Sequence, residues 1–174
     1  GRASPARPDT LDSSACAAHY HPRTLLPTSS MSPAATHLVF VYGTLKAGFR
    51  NAHVNEGRPV GQAWTTVRPY PLYIIGRRRL PWLLDRPGEG HAVQGEVVAV
   101  DDAGLARMDA LERLDDPTWY LRRRVTVAPM EGGAPREAWV YFGSEAGFLG
   151  APVHAGPLTA YTRSLELQHP PESD

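Results

Sequence analysis

Apolar and polar positions fall into three regimes along the chain. From residue 1 to 36 the apolar residues show neither a 3.6-residue nor a two-residue period, and Pro5, Pro8, Pro22, Pro27 and Pro33 break up the segment. Such a segment buries too little apolar surface to offset its ordering entropy, so it reads as a disordered N-terminal extension. Met31 stands just before the first apolar run, which makes residues 1–30 read as an upstream extension. An Arg- and Ser-bearing mitochondrial transit peptide is the alternative, against which Asp9, Asp12 and the prolines count. From 37 to 167 short apolar runs alternate with Gly and Pro punctuation, the pattern of one folded domain; residues 168–174 read as a disordered tail.

Within the domain, Leu38–Tyr42 is a continuous β-branched and aromatic run that halts at Gly43, which predicts a central strand feeding a turn. Further strand-like runs are 62–67, 71–75, 92–100, 120–128 and 137–142. They are joined by short links such as Arg-Pro-Gly-Glu-Gly at 86–90, too short for crossover helices, so the sheet is predicted to be mixed and mostly antiparallel. One helix is predicted over 103–114, with Asp101 or Asp102 as N-cap, Leu105, Met108 and Leu111 as its buried stripe, and Asp115-Asp116-Pro117 as its end. A sheet of this size with few short helices gives an α+β fold, curled or barrel-like.

Composition narrows the chemistry. The length of 174 residues suits one domain, and 18 basic against 18 acidic side chains leave no net field to attract a phosphate backbone or an anionic membrane. No run approaches the roughly 18–20 apolar residues that cross a bilayer. The single cysteine, Cys16, cannot form an internal disulfide, which points to a reducing compartment, the cytoplasm. Cys16 lies in the extension, Ser144 and Ser164 have no nucleophile context, and no Gly-x-Ser-x-Gly elbow occurs, so covalent catalysis is poorly supported. The seven histidines lack zinc-site spacing and no Walker or Gly-x-Gly-x-x-Gly loop follows a strand; neither a metal nor a nucleotide cofactor is expected. Arg77-Arg78-Arg79 and Arg122-Arg123-Arg124 read as surface or salt-bridged arginines, because alternate residues of a strand face opposite ways. Trp82 and Trp119 read as core or pocket walls.

Two features can carry chemistry. Tyr42-Gly43-Thr44-Leu45-Lys46-Ala47-Gly48 runs a buried strand into a tight turn, which can aim successive backbone N–H groups at one anionic group or oxyanion. An ordinary strand-ending turn is the alternative. Glu112 lies seven residues past Leu105, about 20° away around the helix, on the buried stripe. Burial there raises a carboxyl pKa and makes it a candidate general acid/base; the alternative is an edge Glu paired with Arg113 or Arg124. Asp109, at the stripe's other edge, reads as solvated or as a hydrogen-bond partner to the site.

Ordered motifs add to these readings. Val39-Phe-Val-Tyr-Gly-Thr-Leu-Lys-x-Gly48, Pro69-Tyr-Pro-Leu with Gly76, Leu80-Pro-Trp-Leu-Leu84, Pro87-Gly-x-Gly90, Gly95-Glu-Val-x-Ala-Val-Asp101, Met108-Asp-x-Leu-Glu112 and Tyr120-x-Arg122 together resemble the γ-glutamylcyclotransferase superfamily, over about 38 to 127. Within it the chain is most similar to the γ-glutamylamine cyclotransferases, of AIG2-like fold. The resemblance implies an α+β unit on a mixed barrel-like sheet with the site at its mouth. It further implies Glu112 as the catalytic residue and Tyr42, Gly43, Thr44 and Leu45 as the substrate-holding turn, with Tyr120 and, on the final strand, Tyr141 beside it. The implied reaction converts a γ-glutamyl amine, such as ε-(γ-glutamyl)lysine, to 5-oxoproline and a free amine. It needs no cofactor, no nucleic-acid or membrane partner, and only a monomer. The segment from Gly143 onward departs from the family pattern, which leaves the leaving-amine side open. Cyclotransferases of other γ-glutamyl amino acids or amides, or a barrel-like binding module without turnover, are the alternative readings.

Overall fold

The computed structural model describes residues 36–173; the expected extension up to residue 35, with Cys16, lies outside the described residues. In chain order the elements are β1 (His37–Val41), a 3-10 turn at Ala52–Val54, β2 (Arg58–Pro59), β3 (Trp64–Thr66), β4 (Leu72–Ile75), β5 (Leu80–Leu83) and β6 (Gln94–Val100). They continue with α1 (Asp102–Leu111), β7 (Tyr120–Pro129), β8 (Arg136–Gly143), α2 (Glu145–Phe148), β9 (Val153–Ala155) and α3 (Arg163–Gln168).

Strands β1-β8-β7-β3-β6 lie side by side, and β6 pairs back onto β1, which closes a barrel; β2 extends from β6. β1 runs parallel to β8 and antiparallel to β6, so the sheet is mixed and mostly antiparallel. Closure leaves β1 with a partner on each side and apolar cover on both faces. Phe40 and Tyr42 belong to one core with Leu72, Val97 and Phe142, while Val39 and Val41 belong to another with Val98, Leu105 and Met108. That is why residues 38–42 read as a continuous apolar run rather than an alternating one.

β5 was not foreseen, because Pro81 sits in it. Among the described residues β5 pairs only with β4, with Pro81 opposite Ile74, so the missing N–H falls on an edge. The small sheet β5-β4-β9 lies apart from the barrel strands in hydrogen bonding. Helices α2 and α3 were also not foreseen, although Ser144 and Thr162 cap them by accepting from the amides of Gly147 and Leu165.

α1 starts where the sequence placed it, with the Asp101 carboxylate accepting from Gly104 N–H at 2.7 Å. It ends three residues earlier than expected. Arg113 takes a left-handed conformation (φ 52°). Arg113 N–H then donates to Ala110 O and Leu114 N–H to Asp109 O, both at 3.3 Å. This is a Schellman ending with Arg in the position that Gly usually occupies, which hid it from the sequence. Glu112 is therefore the helix's C-cap rather than an interior residue.

The tail beyond 167 was expected to be disordered. Instead Gln168 closes α3, and Glu172 N–H donates to Arg77 O at 3.0 Å while its carboxylate bonds Arg77 and Arg79, each at 3.2 Å. The arginines of the 77–79 turn hold the segment down.

Candidate functional site

A cavity of about 330 Å³ opens between the end of β1, β5, the C-cap of α1 and β8, a size that suits a small molecule. Tyr42, Gly43, Thr44, Leu45, Glu112, Tyr120 and Tyr141, separate in sequence, all line it. Trp119 is also in its wall, as are four residues that sequence reasoning missed: Arg50, Asn51, Arg78 and Pro171.

The turn after β1 is built from its carbonyls. Gly43 O accepts from Lys46 N–H (3.1 Å), Thr44 O from Asn51 N–H (3.0 Å) and Leu45 O from the Asn55 side chain (3.0 Å), while Asn51 Nδ2 also donates to Thr44 Oγ1 (2.9 Å). The carbonyls are satisfied by the loop that follows. Among the described residues, the N–H groups of Gly43, Thr44 and Leu45 reach no acceptor, although Thr44 and Leu45 are buried. Buried amides without partners are rare, and three in succession beside a cavity form a ready cradle for an anionic oxygen. Gly43 is required at its place because a Cβ there would lie 2.6 Å from Pro81 Cγ, so the turn packs directly on β5.

Glu112 lines the same cavity as this cradle. The tyrosines around it are committed elsewhere: Tyr42 OH donates to Tyr141 O (2.6 Å) and Tyr120 OH to Pro81 O (2.8 Å). Neither suggested arginine reaches it. Arg113 lies over the Trp119 ring and bonds Asp116, and Arg124 lies over Trp139. Among the described residues Glu112 makes no ion pair, and burial pushes its carboxyl up to about 7. The side chain is only half-buried because the carboxyl opens on the cavity, yet protein walls enclose it closely enough to desolvate it. A carboxyl that titrates near neutrality exchanges a proton in either direction at little cost. Burial and the Glu112 charge together hold the Tyr42 and Tyr120 hydroxyls protonated well beyond the usual range.

Asp109, three residues before Glu112, anchors the last turn of α1. It accepts from Tyr141 OH at 2.7 Å and from Arg122 Nη1 at 2.9 Å, tying α1 to β8 and β7. Arg122 also lies over the Trp139 ring. Asp109→Asn is expected to weaken both bonds, at about 1–2 kcal/mol, and so to lower Tm by a few °C in a melting curve. Among the described residues no three His, Cys, Asp or Glu side chains gather as metal ligands would, and no helix is long and apolar enough to cross a membrane.

Known proteins resemble this chain in sequence and in fold. The profile of the family described as "Gamma-glutamyl cyclotransferase, AIG2-like" matches residues 39–158, so the family pattern runs on through α2 and β9, beyond the limit near 127 read from motifs. The human γ-glutamylaminecyclotransferase is 44% identical over 103 residues, which cover 56% of this chain and 66% of that protein, just under two thirds of its length. The Danio rerio γ-glutamylaminecyclotransferase C is 37% identical over 131 residues, covering 69% of this chain and 85% of its own. A crystal structure of an AIG2-like protein from Mus musculus superposes with a TM-score of 0.60 at 33% identity, over 73% of this chain and 88% of that one.

Proposed function

The chain belongs to the AIG2-like γ-glutamyl cyclotransferase family, and from that premise we propose that it is a γ-glutamylamine cyclotransferase, forming 5-oxoproline and a free amine from a γ-glutamyl amine. The observation that carries this reading is one unpaired carboxyl titrating near 7 in the same small cavity as three successive amides without acceptors.

The substrate supplies its own nucleophile. Its α-nitrogen attacks the γ-carbonyl carbon, a tetrahedral oxyanion forms, and the C–N bond to the leaving amine breaks. Glu112 takes the proton that the α-nitrogen loses and delivers it to the departing nitrogen, so nothing is consumed and the carboxylate is regenerated. The enzyme's remaining task is to fold the glutamyl chain so that nitrogen and carbonyl meet, and orientation of this kind is worth roughly 7–11 kcal/mol in well-aligned intramolecular reactions. The 43–45 amides hold the glutamyl group, and Tyr42, Tyr120 and Tyr141 form rigid walls, their hydroxyls bonded to backbone or to Asp109. No cofactor enters this scheme, a monomer suffices for it, and the cytoplasm is the compartment in which we place it.

The test is incubation of the protein with ε-(γ-glutamyl)lysine, γ-glutamyl-alanine and glutathione, with chromatographic detection of 5-oxoproline. Stoichiometric 5-oxoproline and free amine from ε-(γ-glutamyl)lysine are expected. Absence of 5-oxoproline with every donor would overturn the reading and favour a binding module.

A further inference from the structure

One cavity residue is not used by the scheme above. Arg50 stands in the loop whose amides satisfy the 43–45 carbonyls, and its side chain forms part of the cavity wall. Among the described residues its Nη2 is buried without a hydrogen-bond partner. Its charge is felt at the buried hydroxyls of Tyr120 and Tyr161.

Other half-buried arginines of the fold are paired: Arg79 with Glu172 and Arg122 with Asp109. Among the described residues Arg50 meets no carboxylate. Of the acidic groups around its loop and cavity, Glu96 accepts from Ala47 N–H, Glu166 pairs with Arg163 while its Oε1 stays buried without a partner, and Glu112 forms no ion pair among the described residues. A guanidinium taken partly out of water without an anion is costly, and its planar fork matches a carboxylate bidentately.

We propose that Arg50 is a specificity-determining residue that receives a carboxylate of the substrate. The inference rests on the cyclotransferase reading, and a γ-glutamyl donor offers that carboxylate from two sources. One is the α-carboxylate of the glutamyl head, in which case the 43–45 amides are left for the oxyanion. The other is the carboxylate of an amino-acid leaving group, in which case the amides hold the head.

Two substrate pairs separate the sources, each assayed with wild type, Arg50→Gln and Arg50→Lys. γ-Glutamyl-alanine against γ-glutamyl-alaninamide removes the leaving-group carboxylate; γ-glutamyl-ethylamide against its α-carboxamide analogue removes the head-group one. Wild type is expected to favour the carboxylate member of one pair by roughly 10–100-fold in kcat/KM, the size of a charge-assisted hydrogen bond. Arg50→Gln should erase that preference and Arg50→Lys should keep part of it; the pair that collapses identifies the source. A preference that survives in Arg50→Gln, or a lowered Tm with unchanged substrate preferences, would overturn the proposal and make Arg50 an internal partner of Glu166. If wild type turns over no donor, the cyclotransferase reading fails by itself. Calorimetric binding of 5-oxoproline and of γ-glutamyl-alanine, each against its carboxamide, then decides on Arg50: selective weakening of either acid by Arg50→Gln supports the proposal, and unchanged binding of both acids refutes it.

Discussion

Glu112→Gln is expected to lower kcat for 5-oxoproline formation by at least ~10²–10⁴-fold, the contribution of one positioned acid/base, while leaving KM within a few-fold of wild type. Gln has the same shape and hydrogen-bonding reach but cannot take a proton, and the cradle at 43–45 is built without Glu112. The wild-type pH profile provides a second check. With its carboxyl pushed up to about 7, kcat/KM should rise as pH increases through about 7, where the base form appears, and this limb should be missing from any residual activity of the variant. Stability should move the opposite way. The folded state holds the Glu112 proton up to about pH 7 and the unfolded chain only to about 4.5, so the folded state binds the extra proton in that window and loses stability as pH rises through it. A shift of this size is worth about 3 kcal/mol. The Gln variant should therefore melt higher than wild type at pH 8, with the gap closing as pH falls toward 4.5. Near-normal turnover in Glu112→Gln would remove Glu112 from the mechanism, and an equal melting difference at all pH values would show that its carboxyl is not desolvated.

What the sequence revealed and what it hid divide by the distance over which each feature is encoded. β1 and its turn were legible because a doubly covered strand must be apolar at every position, and because a Gly ends it. The burial of Glu112 is legible from helical spacing, although that spacing predicts a helix that runs past it. The actual ending relies on Arg113 in a left-handed conformation, for which Arg gives no local signal. Arg113 bonds Asp116 and lies over Trp119, contacts that help hold it there. Asn51 and Asn55, which satisfy the carbonyls of Thr44 and Leu45, look like ordinary loop residues. Only the closed turn shows which groups they satisfy. The C-terminal segment was hidden for a similar reason, since Glu172 meets Arg77 across 95 residues of chain. Pro171, beside it, brings a wall to the cavity that composition alone assigned to a tail. Arg50 was hidden because nothing in its neighbourhood in sequence says that it lacks a partner.

Gly43→Ala should give the second large effect, with a different signature. The constraint at Gly43 is contact, not backbone conformation: a Cβ would meet Pro81 Cγ at 2.6 Å and Pro81 Cβ at 3.3 Å. Pro81 has little room to yield, because it is paired opposite Ile74 in β5 and its carbonyl accepts from Tyr120 OH. The turn is therefore the part that retreats, by about 1 Å, and it carries the three amides with it. A misplacement of that size costs on the order of 10²-fold in a reaction that depends on orientation. Stability should change little, since replacing Gly by Ala also reduces the entropy of the unfolded chain by about 0.4–1 kcal/mol, which offsets part of the clash. Gly95→Ala makes the contrast: its Cβ would lie 2.5 Å from Val41 O and 2.7 Å from the Phe40 ring, inside the β1–β6 pairing, so its loss should appear in Tm. The decisive measurement is the double variant. Pro81→Ala removes the Cγ that Gly43→Ala strikes, so the pair should recover much of the kcat/KM lost by Gly43→Ala alone, a coupling that two independent defects would not show. If the double variant is as slow as the two single losses multiplied together, the turn is not held in place by β5, and the amide cradle loses its structural basis.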